Sequence, residues 1–123
     1  MDVVLVALGG ACGAVSRYFL GNIVGRSLGS VLPYGTFIIN IVGCFCMGVL
    51  MTLIMERQLL PASARLLLCV GFLGGFTTFS SFGLEALSLL TSGRLCAALA
   101  YAGGSVLLGL VAAFGGVHLA RLF

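Results

Sequence analysis

Apolar residues form four long runs along the chain, at about residues 3–24, 34–55, 66–90 and 95–117. The hydrocarbon core of a bilayer is about 30 Å thick, and a helix needs roughly 20 apolar residues to cross it. Each run therefore predicts one membrane-spanning helix. The pattern as a whole predicts an all-α membrane protein, with a single domain of four transmembrane helices over residues 1–123.

Short connections containing turn-forming residues separate the predicted helices, at residues 26–33, 56–65 and 91–94. The second connection contains Pro61, and the third is centred on Ser92 and Gly93. Because four crossings are an even number, both termini and the second connection are expected on one side of the membrane. The first and third connections are expected on the other side.

Composition excludes several classes of protein. Only 7% of the residues are charged and 61% are apolar, whereas soluble domains carry about 25% charged residues. The lipid bilayer is therefore the expected surrounding. The charged residues are scattered singly, so no basic patch predicts nucleic-acid binding. All five cysteines lie in apolar runs without a metal-binding spacing, so they are interpreted as small packing residues: Cys12, Cys44, Cys46, Cys69 and Cys96.

Arginines are distributed almost evenly between the two predicted sides. Three lie on the side of the termini, two lie opposite, and Arg17 joins the second group if it reaches that interface. Short-loop Lys and Arg set the orientation of insertion, so an even count predicts a chain that inserts both ways up. A weak bias giving a single orientation is the alternative. Four helices cannot easily enclose a polar path, so an oligomer is expected. If both orientations coexist, the natural partner is an inverted copy of the chain.

Glycine is abundant, with 19 residues in the chain. The pairs Gly9/Gly13, Gly21/Gly25 and Gly71/Gly75 have the GxxxG spacing that lets helix backbones approach closely. These pairs predict packing between helices and carry no functional information.

Polar side chains within the apolar runs are the candidates for function, because they are costly in hydrocarbon. Asn40 and Thr36 lie one turn apart on the same face of the second predicted helix. The Asn40 amide could replace part of the hydration shell of an anion. It could equally make a hydrogen bond between helices.

The third run contains the segment GFLGGFTTFSSFGLE, from Gly71 to Glu85. Glycine and β-branched threonine make Gly74–Ser81 a poor helix, which predicts a helix broken at mid-membrane. Free carbonyls at such a break bind cations in transporters. The alternative is a glycine-rich crossing between ordinary helices.

Further candidates lie around this segment. Phe79 and Phe82 share a helical face, and the positive edges of aromatic rings attract small anions, although such stripes are usually packing. Glu85 follows on the same face. Tyr101 and Ser105, four residues apart, form a possible hydroxyl track on the fourth helix.

Three segments together resemble the Fluc (CrcB-type) family of fluoride ion channels. They are GGACGAVSRY at residues 9–18, GTFIINIVGCFCMG at 35–48 and GFLGGFTTFSSF at 71–82. The resemblance implies an antiparallel dual-topology homodimer with two fluoride pores, each lined by both subunits. It also implies a structural Na⁺ at the dimer interface, held by backbone carbonyls at Gly74 and Thr77.

The resemblance assigns the fluoride pathway to eight side chains. They are Asn40, Phe79, Phe82, Thr36, Tyr101, Ser105, Arg17 and Glu85. Gly109 stands where some members carry a further hydroxyl, so the resemblance does not define the full extent of the hydroxyl track.

The expected function is passive export of cytoplasmic fluoride by a multi-pass protein of the cell's inner (plasma) membrane. One alternative is a small proton-coupled exporter of cationic compounds, for which Glu85 is the only suitable carboxylate. Another is an assembly subunit that transports nothing. Enzyme function is not expected, because no nucleophile and base pair, metal cluster or cofactor loop is evident.

Overall fold

The computed structural model describes all 123 residues and contains only helices and connections. Four spans are long and apolar enough to cross a membrane: Asp2–Leu28, Tyr34–Glu56, Ala62–Thr91 and Leu95–Ala120. The second consists of an α-helix, Tyr34–Met51, which continues as a π-helical turn, Thr52–Glu56. The prediction of an all-α fold with four helices long and apolar enough to span a membrane is therefore confirmed.

The third span changes its helical form several times. It starts with one α-helical turn, Ala62–Ala64, widens into a π-helix, Arg65–Leu73, and returns to an α-helical turn, Gly74–Phe76. Thr77 and Thr78 are then extended, with ψ angles of 161° and 120°. An α-helix, Phe79–Thr91, completes the span. We call residues 62–76 and 79–91 its two half-helices.

Glycine contacts set the helix pairs. The second span packs along the fourth, and the first span packs against the first half-helix of the third. A methyl group at Gly9 would overlap the Leu67 carbonyl, and one at Gly13 would overlap the Phe72 carbonyl. Only glycine therefore permits this approach. In contrast, nothing lies within 4 Å of a methyl group at Gly25. The close packing predicted for the Gly21/Gly25 pair is therefore not seen at Gly25 within this chain.

Polar contacts tie together the connections at each end of the bundle. At one end, Arg121 forms a two-point ion pair with Glu56, at distances of 3.0 and 3.1 Å from nitrogen to oxygen. At the other end, Arg94 Nη1 donates a hydrogen bond to the Val31 carbonyl at 2.7 Å. The C-terminus thus lies beside the second connection, and the first and third connections lie together opposite.

Most apolar side chains are at least partly accessible at the surface of the single chain. Only 19 of the 123 residues are buried, which is the arrangement expected where lipid or another helix covers the surface. One small cluster of buried side chains comprises Ile39, Leu73 and Phe76, and a second comprises Leu89, Ala98 and Tyr101. The two clusters lie on either side of the Thr77–Thr78 interruption in the chain, which they help to position.

Candidate functional site

The Asn40 side chain clamps the interruption of the third span by two hydrogen bonds. Its Nδ2 donates to the Thr78 carbonyl at 3.0 Å, and its Oδ1 accepts from the Thr78 backbone N–H at 2.9 Å. Close approach is possible because residue 43 is glycine: a methyl group at Gly43 would overlap Thr77 Cγ2. Arg17 Nη1 lies 3.3 Å from the Thr77 carbonyl oxygen, to which it donates. Side chains from the first and second spans therefore form hydrogen bonds with the Thr77 carbonyl and with the backbone N–H and carbonyl of Thr78, which the interruption leaves without helical partners.

Asn40 has donor capacity beyond this clamp. A primary amide has two N–H donors, and Nδ2 has one protein acceptor, the Thr78 carbonyl. The hydrogen bond between helices, foreseen as an alternative for Asn40, is thus present. It leaves a second N–H for another partner, so the two interpretations are compatible.

Thr78 also starts the second half-helix. Its Oγ1 accepts a hydrogen bond from the Ser81 backbone N–H at 3.2 Å and donates to Ser81 Oγ at 3.1 Å. Threonine is a favoured residue at this position because its side chain satisfies a free N–H of the first turn. This role of Thr78 was not predicted from the sequence. The signal was a threonine followed three residues later by serine, just before an apolar helical run.

Glu85 accepts hydrogen bonds from two neighbouring spans. Thr36 Oγ1 donates to Oε1 at 2.8 Å, and the Tyr101 hydroxyl donates to Oε2 at 2.7 Å. Each carboxylate oxygen therefore has a hydroxyl partner. The three side chains link the second, third and fourth spans about one helical turn after Phe82 on the second half-helix.

Aromatic rings continue this arrangement toward the interruption of the third span. The ring centroids of Phe79 and Phe82 are 5.5 Å apart, and those of Phe82 and Tyr101 are 5.4 Å apart. The planes are tilted by 39° and 42°. The structure therefore brings both predicted phenylalanines into a continuous row that leads to the Tyr101–Glu85 hydrogen bond.

A cavity of about 770 Å³ opens between the first, second and third spans. We call it the vestibule. It contains three of the predicted site residues, Arg17, Thr36 and Glu85. It is also lined by polar residues that sequence analysis did not single out as site residues, including Asn22, Ser81 and Arg94. Arg94 was assigned only to a connection, because its proximity to the vestibule depends on the contact with Val31.

A second cavity, of about 320 Å³, lies between the second, third and fourth spans. We call it the inner cavity. The predicted residues Asn40, Thr77, Phe79, Phe82 and Ser105 line it. Cys44 and Met47, which sequence analysis did not select, line it as well. Thr78 borders both cavities, so the Asn40–Thr78 clamp stands between them.

Three predicted site residues either line neither cavity or have their polar group already bonded within the protein. Gly74 lines neither cavity, and neither does Tyr101, which is buried behind Glu85. Ser105 lines the inner cavity, but its hydroxyl donates to the Tyr101 carbonyl at 2.6 Å. Tyr101 and Ser105 share a helical face as predicted, yet the hydroxyl of Tyr101 is directed to Glu85 beside the vestibule. Both hydroxyl protons therefore already have acceptors within the protein.

Comparison with known proteins identifies the family. The family described as "CrcB-like protein, Camphor Resistance (CrcB)" matches residues 4–117. The "Fluoride-specific ion channel FluC" of Chloroflexus aurantiacus is 49% identical over 122 residues, which are 99% of this chain and 97% of that protein.

Proteins with the same name from two other bacteria are similar over nearly their whole length. The one from Magnetococcus marinus is 47% identical over 99% of both chains. The one from Rhizobium etli is 45% identical over 98% of this chain and 97% of its own. The resemblance inferred from three sequence segments is confirmed, and this four-span chain belongs to the CrcB family.

Proposed function

We propose that this protein is a fluoride-selective channel that passively exports cytoplasmic fluoride across the cell's inner membrane. The observation that carries the proposal is the inner cavity, where the Asn40 amide and the rings of Phe79 and Phe82 line one small space. Near-full-length relatives named as fluoride-specific channels support the choice of ion.

The inner cavity has the chemistry that a small, strongly hydrated anion needs. The second N–H of Asn40 is available to replace a water molecule, and aromatic ring edges carry partial positive charge. No Lys, Arg, Asp or Glu lines this cavity. A fixed positive charge would hold fluoride too strongly for rapid passage, since conduction requires that the ion both enters and leaves easily.

The vestibule supplies the fixed positive charge that the inner cavity lacks. Arg17 and Arg94 contribute positive charge that raises the local concentration of anions. Glu85 is the one acidic residue lining the vestibule, and its oxygens accept from Thr36 and Tyr101. These two hydrogen bonds hold the Glu85 carboxylate in place and partly offset its negative charge. We therefore assign Glu85 and Thr36 to the wall of the vestibule, with Tyr101 buried behind Glu85.

The working unit in this proposal is an antiparallel, dual-topology homodimer with two pores. The near-equal distribution of arginines between the two ends supports dual insertion. Phe79 is 82% exposed although it lines the inner cavity. A second copy would cover this ring and complete the wall of the pathway. In this arrangement the interruption at Thr77–Thr78 lies at mid-membrane.

A structural Na⁺ at the centre of the dimer is also part of the proposal. The helix ends at Phe76, so the carbonyls of its last turn lack their usual intrahelical donors. Neutral carbonyl oxygens suit a hard cation. The Thr77 carbonyl accepts one hydrogen bond, from the Arg17 guanidinium, and a carbonyl oxygen has a second lone pair that can face a cation. Gly74 and Thr77 are therefore suited to hold Na⁺, which would add positive charge and bind the two copies together.

Export needs no other source of energy in this account. A membrane potential that is negative inside drives a monovalent anion outward by about 2.3 kcal/mol per 100 mV. An open path selective for fluoride is therefore sufficient to lower its cytoplasmic concentration.

The test is ion efflux from proteoliposomes that contain the purified protein. Vesicles loaded with potassium fluoride and treated with valinomycin should release fluoride rapidly, as measured with a fluoride electrode. Vesicles loaded with potassium chloride should release little chloride under the same conditions. Absence of fluoride release would contradict the proposal. Proton movement coupled to a cationic compound would instead favour the alternative exporter.

A further inference from the structure

Three residues on the second span form a row that leads from the vestibule into the inner cavity. Thr36, Asn40 and Cys44 are spaced by four residues, so they lie on one helical face and are separated by about 6 Å along the axis per step. Thr36 lines the vestibule, Asn40 forms the clamp, and Cys44 lines the inner cavity. The third member of the row carries a thiol.

The surroundings of Cys44 differ from those of the neighbouring Cys46. Cys46 packs against the buried cluster of Ile39, Leu73 and Phe76. Cys44 instead lines the inner cavity together with Asn40 and Ser105. Two positions along a helix rotate a side chain by about 200°, which explains the difference. The interpretation of every cysteine as packing therefore holds for Cys46 and is incomplete for Cys44.

The fourth span leaves room beside the Cys44 thiol. A methyl group added at Gly109 would lie 3.4 Å from Cys44 Sγ, in ordinary contact. Residue 109 has no side chain, so Cys44 fills this level of the wall. Met47, one turn further along the second span, lines the same cavity. Beyond Asn40, this face of the second span therefore presents sulfur to the cavity.

We propose that the Cys44 thiol lines the fluoride path one turn beyond Asn40, where covalent modification blocks conduction. The inference rests on the proposed channel function, because it uses the inner cavity as the path of the ion. A thiol is a weak hydrogen-bond donor. It offers fluoride a contact that is weaker than the Asn40 amide, so the ion leaves the clamp without a second strong binding site.

A small uncharged reagent, methyl methanethiosulfonate, suits the test. The Cys44 thiol loses its proton to water, and the resulting thiolate attacks the sulfenyl sulfur of the reagent. A disulfide to a methylthio group forms, and methanesulfinate leaves. The added group occupies part of a cavity of about 320 Å³ at the level just past Asn40.

The experiment compares fluoride efflux before and after treatment in the full-length protein and in C44S and C46S. Each protein is compared with its own untreated rate. Efflux from the untreated wild-type protein tests the channel function by itself. Treatment should reduce efflux at least fivefold in the wild type and in C46S, and less than twofold in C44S. Cys12 and Cys96 remain in all three proteins and are exposed, so their modification is common to every sample.

Mass spectrometry of the treated proteins supplies a second measurement. The peptide containing Cys44 should gain one methylthio group, and fluoride in the buffer should slow this reaction more than the reaction at Cys12. Absence of modification at Cys44 would overturn the inference, because the thiol would not be reached from the path. Modification without inhibition, or equal inhibition in C44S, would overturn it as well.

Discussion

The vestibule and the inner cavity lie on opposite sides of the Asn40–Thr78 clamp, and they differ in size and in charge. The vestibule has a volume of about 770 Å³ and contains Arg17, Arg94 and Glu85. The inner cavity measures about 320 Å³ and has no charged residue in its lining. In the proposed channel, this difference assigns the collection of anions to the vestibule and the selection among them to the inner cavity.

Physical chemistry explains why one space cannot perform both roles well. Fixed charges in a wide, polar space attract ions over a distance, and salt screens this attraction. The same charges in a narrow space would bind an ion so tightly that it could not leave. Neutral donors such as an amide N–H can distinguish ions by size and hydration at lower binding energy. Changes in the inner cavity should therefore have larger effects than changes in the vestibule.

The largest effect is expected for N40D. The substitution replaces the amide nitrogen with a carboxylate oxygen, which removes both the free N–H and the donor to the Thr78 carbonyl. Repulsion of several kcal/mol at partial burial predicts a loss of fluoride flux of about a hundredfold or more. Efflux from proteoliposomes measures it. The matched control is N22D in the vestibule, where water screens the new charge. An N40D protein that elutes as the wild type and conducts as well as N22D would contradict the distinction between the cavities.

A smaller loss is expected for F82I. The aromatic ring supplies a polarised edge, and its removal should cost about 1 kcal/mol, which corresponds to roughly a fivefold decrease in flux. F72I is the control, because Phe72 stacks on Phe76 and lines neither cavity. Equal rates in F82I and the wild type would mean that the ring only packs.

Substitution of Arg17 by glutamine should have a moderate effect that depends on salt. Loss of positive charge from the vestibule lowers the local anion concentration, so flux should fall about threefold at low ionic strength. The deficit should shrink at 0.15 M salt, where the Debye length is about 8 Å. Efflux measured at both ionic strengths provides the comparison. A deficit that is identical at both would indicate that Arg17 acts only through its hydrogen bond to Thr77.

The smallest effect is expected outside both cavities. The Arg121–Glu56 pair is exposed, with 52% and 48% of the two side chains accessible. Exposed ion pairs contribute little to stability. R121Q should therefore leave fluoride flux within about twofold of the wild type. A strong loss of flux in this variant would show that the end of the bundle, and not the inner cavity, controls the rate.

The four spans were predictable from sequence because each is a long apolar run, and the interruption of the third span lies within the predicted Gly74–Ser81 segment. The structure limits the extended residues to Thr77 and Thr78. The restriction of the extended segment to two residues depends on the hydrogen bonds from Asn40 to the Thr78 backbone, and Asn40 is distant in sequence. Local propensity alone could not predict it.

The division into two cavities was not predictable. Tyr101 and Ser105 share a helical face, but crossing of the spans directs the Tyr101 hydroxyl to Glu85 and leaves Ser105 in the inner cavity. The close contacts at Gly9 and Gly13 set the position of the first span against the third. Periodicity identifies the faces of each helix, whereas these contacts determine which space each face meets.

Fluoride selectivity is tested most directly by the reversal potential of the purified protein in a planar bilayer. A fluoride gradient is imposed with equal chloride and equal pH on both sides. The account predicts that the current reverses close to the equilibrium potential of fluoride. A reversal potential near zero would contradict it, because chloride or protons would then carry the current.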